Sequence, residues 1–184
     1  MPRLRNRRSG QALVFVALAI FVVFSFMALA VDLSLAYIIR ESAQAAADVA
    51  ALGGAARAFR FLKPGLDYNL CTTGGVCRTG TESCPTGRGP SSPPTSMDSA
   101  CLYAAQNGFS TGGNQVVNIT SGINGSLFAP GVATKYWVMA EVSDQIPQIF
   151  GGILSSQLIT VRVRSVAAIV DVVGSPTTTV ALVQ

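Results

Sequence analysis

Ser9 to Ala58 reads SGQALVFVALAIFVVFSFMALAVDLSLAYIIRESAQAAADVAALGGAARA. Its first part, Ser9 to Val31, carries no charge and would be roughly 34 Å long as a helix. A bilayer core of about 30 Å is spanned by such a run. Asp32 is the first charge after it, and an alanine-rich segment follows. Arg3, Arg5, Arg7 and Arg8 precede it. By the positive-inside rule, the arginines stay in the cytoplasm and everything after Asp32 is exported.

The same residues hold other processing points. Ala28-Leu29-Ala30 has the small-x-small form of a signal-peptide cleavage site, which would make Val31 the new N-terminus. Trimming at Gly10 would leave Gln11 first. The apolar run exceeds the usual signal-peptide core of about 7–15 residues, and helix-forming sequence continues past Ala30, which favours an uncleaved anchor.

From Leu33 to about Leu62 alanine dominates and no proline interrupts, so the helix is expected to continue. Joined to the apolar run it makes a rod of about 50 residues and roughly 75 Å. Gly53-Gly54 should weaken it, and Lys63-Pro64-Gly65 should end it. Arg40, Gln44 and Asp48 recur at i, i+4 spacing as a polar stripe. Ala43, Ala46, Ala47, Ala50 and Ala51 form a flat face that either receives another helix or packs on the chain's own head. Asp32, at the membrane edge, either marks the outer interface, with Tyr37 beyond it among the headgroups, or pairs with a basic group on a neighbouring subunit or helix.

Charged residues are only 12% of the 184 residues, and mean hydropathy is +0.46. The apolar excess is concentrated before residue 60, which leaves room for one modest soluble domain. Net charge is +4, but four of the 13 Lys and Arg residues are the N-terminal arginines. The rest are scattered, which argues against nucleic acid as a partner. Cys71, Cys77, Cys84 and Cys101 all fall in the exported portion and are expected to form two disulfides among three possible connectivities.

Residues 65 to about 98 are rich in Gly, Pro, Ser and Thr and read as a long irregular loop. SACLYAAQN (99–107) reads as a short helix ended by Gly108. Strands are expected over 115–120, 135–143 (KYWVMAEVS) and 157–173, where LITVRVRSV alternates with Arg162 and Arg164 on one face. The intervening Gln145-Ile-Pro-Gln-Ile-Phe-Gly-Gly-Ile-Leu reads as a short amphipathic helix covering the sheet. Asn124-Gly125 signals a turn, and the tail after Gly174 is an edge strand or frayed.

Catalytic machinery is hard to find. The chain has no histidine, its nine Asp and Glu residues are spread out, and no GxSxG, Walker A or GxGxxG context occurs. With neither histidine nor a CxxC pair, zinc is not expected. Asp32-Leu-Ser34 begins like a DxSxS metal-adhesion motif, but position 36 is alanine. Asn118-Ile-Thr120 and Asn124-Gly-Ser126 fit the short N-glycosylation pattern. The expectation is a non-enzyme without cofactor or metal.

RRSGQALVFVALAIF, AVDLSLAY and RESAQAAADVAALGGAARA together resemble the N-terminal segment of TadE/TadG-like proteins of the tight-adherence (Flp) pilus system. Ala30, Val31, Asp32 and Tyr37 match that family's Ala-Val-Asp…Tyr element. Gln44, Ala47, Asp48, Ala50, Ala51, Leu52 and Gly54 match its alanine- and aspartate-rich stretch. YWVMAEV, IPQIFGGIL and VRVRSVAAIV loosely match its C-terminal layout. Two departures stand out. Phe15 occupies the fifth position after Gly10, where processed pilins usually carry Glu, and the chain lacks the length and motif of the von Willebrand-type domain of longer TadG proteins.

The expected fold is α+β and pilin-like: a basic cytoplasmic leader (1–10), a transmembrane and extended helix (11–62), a Cys/Gly/Pro-rich loop with a short helix (63–110) and an exported β-rich head (111–184). The resemblance implies a single-pass, N-in/C-out minor pilin-like or assembly component whose partners are the membrane and other pilus subunits. A filament-forming subunit and an anchored extracellular binding module are the rivals.

Overall fold

The computed structural model describes residues 9–62, 71, 75–87, 89, 91–92, 94–125, 134–153, 158–171 and 178–183. The four N-terminal arginines and the Lys63-Pro64-Gly65 stop lie outside the described residues. Helix α1 (Ser9–Leu62) is 54 residues long and unbroken, so Gly53-Gly54 does not interrupt it. Along its N-terminal part every side is exposed: Leu13, Phe15, Phe21 and Phe26 keep 63–73% of their surface. The polar side chains there are satisfied internally. The Ser25 hydroxyl donates to the Phe21 carbonyl (2.8 Å) and Ser34 to that of Ala30 (2.7 Å), as a helix in an apolar medium requires.

Beyond Asp32 the same helix becomes one-sided. Ala43, Ala46, Ala47, Ala50, Ala51, Ala55, Ala58 and Leu62 are buried, a spacing of three to four residues that puts them in one stripe. The stripe rests on the chain's own head, which settles the two readings of the alanine face in favour of the head.

The head is a five-stranded antiparallel sheet in simple sequential order: β1 (Gly80–Ser83), β2 (Gln115–Gly125), β3 (Thr134–Pro147), β4 (Leu158–Asp171) and β5 (Thr178–Val183). Residues on β3 alternate, and those at Tyr136, Val138, Ala140 and Val142 face the core. Val117 and Ile119 on β2 and Val163, Ala167 and Ile169 on β4 line up beside them. Helix α1 lies across β3, β4 and β5, and helix α2 (Ser96–Gln106) packs beside it. On the opposite face Trp137 lies over Gly122, where a β-carbon would come within 2.8 Å of the indole. The Arg162 guanidinium meets the Glu141 carboxylate there at 3.5 Å.

Glycine is used at the crossing of the two helices. A β-carbon on Gly53 would overlap the ring of Tyr103, and one on Gly54 would sit 3.0 Å from Val138 and 3.1 Å from the Ser96 carbonyl. Helix α2 starts on a capping box, with Thr95 accepting from the Asp98 amide (3.1 Å) and Asp98 accepting from the Thr95 amide (3.0 Å). It ends as expected beside Gly108, whose φ of 86° only glycine adopts freely.

Two expectations are corrected. The 63–110 segment is not only loop and helix, because Gly80–Ser83 pairs with β2; its residues are polar and give no apolar alternation. Over its described residues, 145–153, the next stretch is not an amphipathic helix covering the sheet. Strand β3 runs on through Pro147, and a bend and a single 3-10 turn (Gly151–Ile153) follow, with Ile149 and Phe150 exposed. Apolar composition reads the same whether it faces a core or looks outward; here Ile146 faces the core while Ile149 and Phe150 look outward.

Candidate functional site

The structural pivot of the molecule is Asp32, where the free part of α1 meets the head-bound part. One carboxylate oxygen accepts from the amides of Ile149 (3.1 Å) and Phe150 (3.3 Å). The other accepts from Gly151 (2.8 Å) and Phe150 (3.3 Å). Three consecutive backbone N–H groups thus converge on one carboxylate, an arrangement suited to the ionised form. It joins positions 117 to 119 residues apart in the chain. Asp32 is 7% exposed, and the partners it has within the chain are these backbone amides. Neither reading of Asp32 anticipated a bond between the rod and its own head.

The rest of the polar stripe runs along the edge of this contact. Gln44 donates to Asp48 (2.9 Å) and to the Arg164 carbonyl on β4 (3.5 Å). Arg40 and Tyr37 are exposed. Ala30 and Val31 are exposed just below Asp32. Gly10 and Gln11 lie in the first turns of α1, and nothing about their surroundings is described.

A second cluster holds the cysteine-rich segment. The disulfides are Cys71–Cys77 and Cys84–Cys101. Next to the first, the Arg78 carbonyl accepts from the Tyr136 (2.6 Å) and Ser121 (2.7 Å) hydroxyls. The Ser96 hydroxyl lies 2.9 Å from that of Tyr136 and accepts from the Arg78 amide (3.0 Å). Burial pushes the Tyr136 phenol above its ordinary value, with the Ser121 and Ser96 hydroxyls pulling the other way. Sequence reasoning missed this network. Serines and a tyrosine on three different segments have no shared spacing that could have revealed it.

Among the described residues no group of Cys, Asp and Glu is arranged to hold a metal ion. The open depression between Ile39, Gly112–Gln115 and Asp144–Pro147 is shallow, and the Gln115 amide (3.1 Å from Asp144) already fills part of its polar wall. What the geometry offers is attachment: a free apolar rod, a charged seat and a stapled sheet.

These features define an α+β protein with, among the described residues, one helix long and apolar enough to cross a membrane. Residues 10–57, about a quarter of the 184-residue chain, match the family described as "Putative Flp pilus-assembly TadE/G-like". That helical segment is similar to the TadE/G-like family model, and the match stops short of the β-rich head. No curated protein and no solved structure matches the chain.

Proposed function

We propose that the protein is a minor pilin-like or assembly component of a Tad-type (Flp) pilus. It sits in the membrane by α1 with its N-terminus inside and its head outside, and it acts by contact with other pilus subunits rather than by catalysis. The observation that carries this reading is the span of the family match. It covers the exposed rod, the Asp32 seat and most of the head-bound helix, so the matched unit is an anchor already joined to its head. The lack of any histidine in the sequence is consistent with a structural role.

Intact mass and N-terminal sequencing of the protein from its host test the reading. A start at Met1 marks a resident membrane component. A start at Gln11 would move it into the filament, and a start at Val31 would remove the anchor and sink the proposal. Deleting the gene should abolish or reduce piliation, and restoring the chain should recover it. Normal pili in the deletion strain would count against any assembly role. An alkaline phosphatase fusion after Gln184 should be active and one after Arg8 inactive; the reverse pattern overturns the orientation.

A further inference from the structure

We propose that the tip formed by the bend that follows β3, where Ile149 and Phe150 are exposed, is a second membrane contact: a lipid-facing foot that Asp32 holds at the level where α1 leaves its apolar run. The inference rests on the reading of α1 as a membrane anchor and adds to it a fixed posture for the head.

Three observations carry it. The first is level. Helical side chains tilt toward the helix N-terminus, so the Asp32 carboxylate, and the three amides bound to it, lie toward the apolar end of α1. Asp32 is also the first charge after Ser9–Val31. The tip is therefore seated beside the last apolar turn of the rod.

The second is exposure. Ile149 is 58% exposed and Phe150 42%, and Leu158, paired with Pro147 across the strands, is 44% exposed. The backbone amides of Ile149 and Phe150 are held by Asp32, which fixes where these two side chains leave the main chain.

The third is charge. No charged residue occurs from Gln145 to Val161, while Asp144 and Arg162 stand just beyond, one strand-step further from the tip. Charged side chains normally mark the solvated end of a sheet, so an end without charge suits a less polar medium. Leu33, Tyr37 and Ile38 are exposed on α1 above Asp32, which carries the apolar belt around the rod. An aromatic pair such as Tyr37 and Phe150 at that height fits the lipid–water interface. Because the belt is continuous with the proposed span, lipid is the occupant it fits.

The full chain is reconstituted in phosphatidylcholine/phosphatidylglycerol vesicles, and Phe150→Trp is read against the wild type, whose single Trp137 supplies the background. Emission from the indole introduced at the tip should be blue-shifted, quenched by lipids brominated close to the headgroup, and insensitive to acrylamide. Adding Asp32→Ala should cut the lipid quenching while the chain still floats with the vesicles, and Asp32→Asn should cut it less. Ile149→Trp repeats the measurement should Phe150→Trp disturb folding. Emission quenched by acrylamide and not by bromolipid, in a chain that floats, overturns the foot and leaves the anchor standing. Emission shielded from both reports a protein contact and also overturns it. A chain that does not float overturns the anchor and the foot together.

Discussion

Asp32 gains its importance from what it touches. A carboxylate at the end of an apolar helix is costly unless its charge is met, and here three amides meet it. Asp32→Ala is expected to release the tip. In hydrogen exchange the amides of Ile149, Phe150 and Gly151 should lose protection, while those of β3 from Tyr136 to Val142 keep it. Protection unchanged at all three positions would mean that the tip is held by something else. Gly54 is a residue of the opposite kind, decided by space. Its missing β-carbon lets Val138 and the Ser96 carbonyl approach, so Gly54→Val forces the helices and sheet apart. Overpacking of this sort costs about 1–3 kcal/mol, to be read as a lower midpoint in urea. A midpoint equal to wild type would show that the crossing has slack.

The element scale shows where sequence legibility ends. The alanine stripe on α1 and the alternation of KYWVMAEVS are visible in the chain because one periodicity matches the helix and the other the pleat. What covers the stripe is not visible, since small residues suit a neighbouring helix and a sheet equally. Strand β1 was missed because GTES has no apolar alternation and is recruited by β2 and by Cys84, whose amide donates to the Val117 carbonyl (3.0 Å). The Asp32 seat was illegible for a different reason: its partners are backbone groups more than a hundred residues away, which no side-chain pattern announces.

Two predictions belong to the bonds that tie the cysteine-rich segment and α2 to the sheet. Cys84 and Cys101 are separated by 17 positions, a loop for which closure entropy gives about 3 kcal/mol. Reducing it, or Cys84→Ser with Cys101→Ser, should lower the unfolding midpoint by a corresponding amount. No shift would mean that the unfolded chain is already constrained there. Tyr136 adds a pH signature. Its folded-state value is raised by burial, so the unfolded chain releases the phenolic proton first. The stability it supplies is whole below about pH 10, the ordinary tyrosine value, and is lost as pH rises through the folded value. Tyr136→Phe strands part of the bonding at the Arg78 carbonyl and Ser96, at about 1–3 kcal/mol near neutral pH. The variant should show a flatter alkaline limb than wild type, and parallel curves would remove Tyr136 as the titrating group.

At the scale of the whole molecule, α1 is two objects in one helix, and the boundary falls at Asp32. Below it the side chains from residue 12 to 31 are exposed except for the half-buried Ala28; above it the helix supplies much of the core of the head. The two halves should therefore separate in solution behaviour. A chain beginning at Val31 keeps the alanine stripe, the Asp32 seat, the sheet and both disulfides, and is expected to fold as a soluble monomer without detergent. The full chain, with a row of phenylalanines and valines exposed on every side, should need detergent or lipid or else aggregate. Sedimentation velocity on both, with and without detergent, checks this. If the shortened head self-associates as strongly as the full chain, a sheet or tip surface drives assembly. If it fails to fold, the apolar half contributes to the head through contacts that lie outside the described residues. If it is monomeric while the full chain assembles only in lipid, association belongs to the rod. Copies of the chain would then meet first along their helices, with the head held in one orientation by the carboxylate that joins it to them.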